Sequence, residues 1–209
     1  MSKVVDILKK VGAVITNDHF VYTSGKHGEA YINKDALYPH TVETSEVCKL
    51  MAEMYKDEEI DVVVGPALGG IILSQWVAYH LSLIKGREVL GVYTVKDEAG
   101  NQVFDRRGYD RLVKGKKVLV VEDLTTTGGS VKKTVDSVKV AGGEVIGVCV
   151  MVNRDPEKVT SEVVGAPFRA AGVIRAQAFD EKDCPFCKEN RPINLEIGHG
   201  KDYLRKRGI

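Results

Sequence analysis

The stretch KVLVVEDLTTTGGS, residues 117–130, runs from an uninterrupted apolar segment into two acids, then three threonines and two glycines. A run that is apolar on both faces predicts a strand covered on both sides, as in a parallel sheet between layers of helix. DVVVG at 61–65, EVLGVYTV at 88–95 and EVIGVCVMVN at 144–153 repeat the pattern. Helical segments lie between them. GGIILSQWVAYHLSL follows the first run, and SVKKTVDSVKVAGG follows the third, with Val131, Val135 and Val138 as a core stripe and Gly142–Gly143 as a stop. The predicted fold class is α/β, an open, mainly parallel sheet with helices on both faces.

Outward from this centre the chain is less regular. Val4, Val5, Ile7, Leu8 and Val11 recur at helical spacing, as do Val47, Leu50, Met51 and Met54. Between them FVYTSGKHGEAYIN predicts strands around a turn. VKDEAGNQVFDRRGYDRLVKGK, between the second and third apolar runs, is charged and has no period, so it reads as a long functional lid. The last forty residues, with Pro185 and Pro192, read as an irregular outer segment.

The chain has 209 residues and a formal charge of +1 with acids and bases interspersed, which argues against a nucleic-acid-binding stripe. No segment has the length and apolarity of a signal peptide core or a membrane span, so the expectation is a cytoplasmic protein with no membrane partner.

In open parallel sheets, ligands collect beyond the carboxyl ends of the strands. After Glu122 and Asp123, the segment Leu124, Thr125, Thr126, Thr127, Gly128, Gly129 and Ser130 offers hydroxyls, close backbone approach and the free N–H groups of a helix start. These suit a phosphate. Two carboxylates beside a phosphate repel it unless they face hydrogen-bond donors such as sugar hydroxyls, so the string reads as a cradle for a ribose 5-phosphate. A solvated strand end accounts for the acids taken singly, but not for the whole string. Pro66, Ala67, Leu68, Gly69 and Gly70 form a second glycine-rich turn that opens a helix, a second anion site or simply a tight turn.

With these residues in view, the chain resembles the type I phosphoribosyltransferases. Their signature is an apolar strand, a Glu-Asp or Asp-Asp pair and a Thr-Thr-Gly type loop. The resemblance implies a single domain over 1–209, with a core at about 41–154 and a hood built from about 1–40 and 155–209. It implies that 122–130 holds the ribose and 5-phosphate of phosphoribosyl pyrophosphate (PRPP) and that 66–70 holds the pyrophosphate. It also implies Mg²⁺ carried by PRPP, with no direct protein ligand assigned, and a homodimer. Within the family the chain is most similar to the orotate-using members, through Ser24-Gly25-Lys26 followed by Ala30, Tyr31, Ile32 and Asn33, and through Arg154 in VNRDP. Lys26 and Arg154 are therefore the expected base-binding residues. Lys96, Glu122 and Asp123 are the expected catalytic ones. The implied reaction is transfer of phosphoribosyl from PRPP to orotate, giving orotidine 5′-monophosphate and pyrophosphate.

The lid departs from the family pattern. Val95 stands where an arginine is usual, Ala99 for a lysine and Asn101 for a histidine, while Gly69 replaces a lysine in the pyrophosphate loop. Arg106, Arg107 and Arg111 offer replacement charge. These departures leave open a purine or another pyrimidine as acceptor, or a PRPP-sensing regulator without catalysis.

Four cysteines remain. Cys48 and Cys149 sit in apolar patterns and read as core residues. Cys184 and Cys187 form one Cys-x-x-Cys, half of a structural zinc site for which Cys48 and His199 are the remote candidates, or else an ordinary reduced turn. A thioredoxin-like use is disfavoured, because the motif is not expected at a helix start following a strand.

Overall fold

A computed structural model of the chain describes residues 2–22, 24–105, 107–175 and 177–208. The chain opens with α1 (Lys3–Lys10), β1 (Val14–Ile15), β2 (Phe20–Val21), β3 (His27–Gly28) and β4 (Tyr31–Ile32). There follow α2 (Thr41–Glu53), β5 (Val62–Pro66), α3 (Gly69–Lys85), β6 (Leu90–Lys96), β7 (Gln102–Val103), α4 (Tyr109–Val113) and β8 (Lys117–Thr125). The remainder is α5 (Gly129–Val140), β9 (Glu144–Asn153), α6 (Ser161–Val164), β10 (Phe168–Val173), α7 (Pro185–Lys188) and α8 (Gly200–Arg205).

The main sheet has the order β10-β9-β8-β5-β6-β7 and is parallel except for the β6–β7 edge pair. Both faces are covered, as the apolar runs predict. Val63, Leu119, Val121, Cys149 and Met151 pack with residues of α1, α2 and α3 on one side. Val62, Val64, Val118, Val120, Val148 and Val150 pack with Val131, Val135 and Val138 of α5 and with Val113 and Val164 on the other. Cys48 and Cys149 are buried in the first of these layers, so Cys48 is unavailable to a remote zinc site. Outside the sheet, β1 pairs with β4 and β2 with β3, both antiparallel.

Successive strands leave β5 in opposite directions: β6 and β7 go to one side, β8, β9 and β10 to the other. The crevice between β5 and β8 is therefore the topological switch point, where loops diverge and leave room for a ligand.

Three expectations are corrected. The segment read as a long irregular lid contains β7 and α4. Val103 pairs with Val95, and Thr94 Oγ1 donates to Gln102 Oε1 at 2.9 Å. A two-residue strand is too short to show a period. Second, the outer C-terminal segment read as hood from 155 onward includes β10, which joins the sheet beside β9. Its Ala170-Ala171-Gly172 centre lacks the β-branched signature, and Gly172 is in place because a β-carbon there would come within 3.1 Å of Val5 Cγ2. Third, Cys-x-x-Cys does open a helix, since Cys184 is the N-cap of α7, although a 3₁₀ turn and not a strand precedes it.

Candidate active site

At the switch point lies a cavity of ≈ 400 Å³. Its walls come from the loop after β5 (Ala67, Leu68, Gly69), the end of β8 and the following loop (Glu122, Asp123, Leu124, Thr126, Ser130), the β4 exit (Tyr31 to Asp35), Tyr22, Lys96 and Arg154. Two glycine-rich turns that are far apart in sequence thus face one space.

Their local structure follows from the residues. Thr125 is buried, and its Oγ1 accepts from Gly128 N at 3.0 Å. Gly128 takes φ +78°, a left-handed turn that releases the chain into α5 without a side-chain cap. The first N–H groups of α5 are left for a ligand. At the β5 exit, a β-carbon on Gly70 would come within 2.7 Å of Pro66 Cδ, so the glycine permits the tight entry into α3. Pro66 and Gly70 shape the turn from behind, and Ala67, Leu68 and Gly69 reach the cavity. Likewise Thr127, Gly128 and Gly129 shape the second loop and do not line the cavity wall, whereas Leu124, Thr126 and Ser130 do.

Asp123 is the hub. Its Oδ2 accepts from Lys34 Nζ at 2.6 Å and from Tyr38 OH at 2.9 Å. Gly69 is required beside it, because any β-carbon there would overlap the Asp123 carboxylate. Burial opposes charge on Lys34, but the Asp123 carboxylate outweighs it and raises the amine's pKa. Burial, then the same carboxylate, push the Tyr38 hydroxyl well above its ordinary value. Glu122 is buried as well. Burial first, and the Asp123 charge second, push its carboxyl up to about 8.

Arg154 occupies the other end. Its backbone N–H donates to Thr125 O at 2.9 Å, which ties it to the phosphate-type loop. Its guanidinium lies 4.8 Å from the Tyr22 ring centre, and its Nε is buried with no hydrogen-bond partner among the described residues. Tyr22 is fixed in turn by its hydroxyl, which donates to Ala30 O at 2.6 Å.

Not every expected residue is brought in. Lys26 does not line the cavity; its Nζ lies 3.4 Å from Asp180 on the surface. Of the lid cations, Lys96 reaches the cavity. Arg107 pairs with Asp105 and lies over the Tyr93 ring, and Arg111 is exposed on α4. Arg106 lies outside the described residues. Sequence reasoning missed Lys34, Tyr38 and Tyr22. The signal for the first two was available in YINKDALY, where a lysine and a tyrosine follow an aromatic strand end.

Comparison with known proteins agrees with this geometry. Residues 33–163 match the phosphoribosyl transferase domain family. The orotate phosphoribosyltransferase of Caldanaerobacter subterraneus subsp. tengcongensis is 38% identical over 192 residues, covering 91% of this chain and 94% of that protein. That of Thermotoga maritima is 37% identical over 197 residues, covering 93% and 97%. Among solved structures, the orotate phosphoribosyltransferase from Aeropyrum pernix superposes with a TM-score of 0.62 at 26% identity, covering 82% of this chain and 93% of that one. Two anion-type turns at a switch point, an acid pair between them and relatives of this similarity over nearly the full length lead to one conclusion: the chain belongs to the phosphoribosyltransferase family, among the orotate phosphoribosyltransferases.

Proposed function

We propose that this chain transfers the phosphoribosyl group of PRPP to orotate, releasing orotidine 5′-monophosphate and pyrophosphate in pyrimidine nucleotide synthesis. The observation that carries the reading is the single cavity shared by the 66–70 turn, the 122–130 loop and Arg154. Thr126, Ser130 and the first N–H groups of α5 take the 5-phosphate, and Glu122 and Asp123 take the ribose hydroxyls. The turn at 67–69 takes the pyrophosphate. Arg154, with its unpaired Nε, takes the orotate carboxylate or a ring carbonyl.

A ring nitrogen of orotate forms the bond to the anomeric carbon as the bond to pyrophosphate breaks, and the nitrogen's proton is lost. Positive charge grows on the sugar and negative charge on the leaving group, so preorganised charge suffices and no covalent nucleophile is needed. Asp123, held by Lys34 and Tyr38, faces the developing cation without reorienting. Lys96 faces the leaving pyrophosphate. The acids at the cavity, Glu122 and Asp123, are hard oxygen donors, and among the described residues no sulfur or imidazole lines the wall, a set that fits Mg²⁺. Glu122 and Asp123 would face a magnesium ion carried in with PRPP, which would supply neutralisation of the charge on the pyrophosphate.

A homodimer in the cytoplasm is part of the same reading. Tyr79, Leu83 and Ile84 of α3 and Val42 of α2 are exposed apolar residues that a second copy would cover.

The test is pyrophosphate release from PRPP and Mg²⁺ with orotate, uracil, adenine, guanine, hypoxanthine or xanthine. Release with orotate alone is expected. Turnover with a purine and none with orotate overturns the assignment, and binding of PRPP without turnover points to a sensor.

A further inference from the structure

Away from the cavity, the two tail cysteines meet two histidines from the other end of the chain. His19 precedes β2 and His27 begins β3, while Cys184 caps α7 and Cys187 lies within it. One side-chain ligand atom from each lies within 4.8 Å of all the others, and His19, His27 and Cys184 are buried. Cys184 Sγ and Cys187 Sγ are each 3.7 Å from His19 Nε2. Cys187 Sγ is 3.3 Å from His27 Nδ1, and the two ring nitrogens are 2.8 Å apart.

We propose that these four side chains form a structural Zn²⁺ site that staples the C-terminal segment to the β2–β3 hairpin. Zinc–nitrogen bonds of about 2.0–2.1 Å and zinc–sulfur bonds of about 2.3 Å, at tetrahedral angles, place nitrogen and sulfur about 3.6 Å apart and two nitrogens about 3.3 Å apart. The four separations given above are within about half an ångström of that tetrahedron. The tautomer is set from outside. His19 Nδ1 lies 2.9 Å from Arg191 O and must carry its proton to bond that carbonyl, which leaves the Nε2 lone pair facing the two sulfurs and His27.

Chance does not readily gather such a set. The hydrogen-bonded pairs span 160, 165 and 168 residues of chain. Both thiols are free, so no disulfide accounts for the clustering. Hydrogen bonds such as Asn194 N to His19 O and His199 N to Val21 O already lay the segment against the hairpin, but it buries few side chains of its own. Among the described residues after Ile174, only Cys184 and Gly200 are buried. A tail with so little core gains from a cross-link, since a metal bound only by the folded arrangement contributes its binding free energy to folding. Cys48 and His199 are not the missing partners: Cys48 is in the core, and His199 is half-exposed at the start of α8.

The same hairpin carries Tyr22, which underlies Arg154, so the metal sets the position of the wall at that end of the cavity. Metal binding itself does not depend on which base the enzyme uses.

The test is metal content by mass spectrometry of the full chain purified from zinc-supplemented medium without chelator. About one zinc per chain is expected. Cobalt exchange should give the intense visible bands of a tetrahedral site with thiolate-to-metal charge transfer. Cys187→Ser and His27→Ala should each lower retained metal at least tenfold, and His80→Ala, in α3 beside Ser45 of α2 and away from the cluster, should not. If the variants fail to fold, chelation of the wild-type chain followed by cobalt titration and limited proteolysis gives the same reading, with the C-terminal segment cut only in the metal-free form. A wild-type chain without metal, a Cys184–Cys187 disulfide in its place, metal retained after the Cys187 change, or equal proteolysis with and without metal overturns the proposal.

Discussion

Lys34 Nζ and Asp123 Oδ2 stand 2.6 Å apart, so a residue just after the fourth strand of the chain holds the acid at the end of the eighth. The pair is partly sheltered: Asp123 is 5% exposed and Lys34 34%. A hydrogen bond to a charged group in such a setting is worth about 1.5–3 kcal/mol. Lys34→Gln should therefore lower kcat/KM for PRPP by about 10–100-fold while the fold survives. Unchanged steady-state kinetics would remove Lys34 from the site.

Gly69 lies directly against the Asp123 carboxylate. A methyl group there displaces the Asp123 carboxylate, so Gly69→Ala should cost at least about 100-fold in kcat/KM. Gly86, which ends α3 at φ +62° with open space around it, provides the contrast. Gly86→Ala should cost about 1 kcal/mol of stability through backbone strain and leave activity intact. Parallel thermal melts and kinetics distinguish these two uses of glycine.

Glu122 gives the folded chain a pH signature. Burial first, and the Asp123 charge second, hold its carboxyl well above the ordinary carboxylate range, so above that range the folded state retains a proton that the unfolded state has lost. The associated stability is present at low pH and is lost as pH rises through the folded value. The slope is at most about 1.4 kcal/mol per pH unit for one proton. Glu122→Gln should flatten this slope in denaturant unfolding of the ligand-free protein between pH 5 and 9. An unaltered slope assigns the proton elsewhere.

The sheet rests on side chains buried from both faces. Leu119 is fully buried within β8, and Leu119→Ala should cost about 2–5 kcal/mol of stability, measured by urea unfolding.

The central strands and the acid pair were legible because their signals are local. Val118 to Val121 are apolar in every position, and the Glu-Asp-Leu-Thr-Thr-Thr-Gly-Gly string follows without interruption. β7 and β10 were not, because Gln102–Val103 is too short to have a period and Ala170-Ala171-Gly172 resembles a loop. In the site, Gly69 reads from sequence as the absence of an expected lysine; in space it is the gap that admits Asp123. Lys34, Tyr38 and Tyr22 contribute through tertiary contacts to residues far along the chain, which no spacing rule encodes. Lys26 has the opposite history, being marked by its motif yet paired with Asp180 outside the cavity wall. Cys-x-x-Cys was visible as half of a set, while His19 and His27 carried no metal-type spacing and were joined to it only by folding.

The central claim is that Asp123, in its Lys34–Tyr38 setting, supports phosphoribosyl transfer to orotate. The direct measurement is formation of orotidine 5′-monophosphate from orotate, PRPP and Mg²⁺ by the wild-type chain and by an Asp123→Asn variant of matched thermal stability. Wild type should form nucleotide and pyrophosphate in equal amounts, and the variant should be at least about 100-fold slower. No nucleotide from the wild-type chain, or equal rates from the two proteins, would refute the claim.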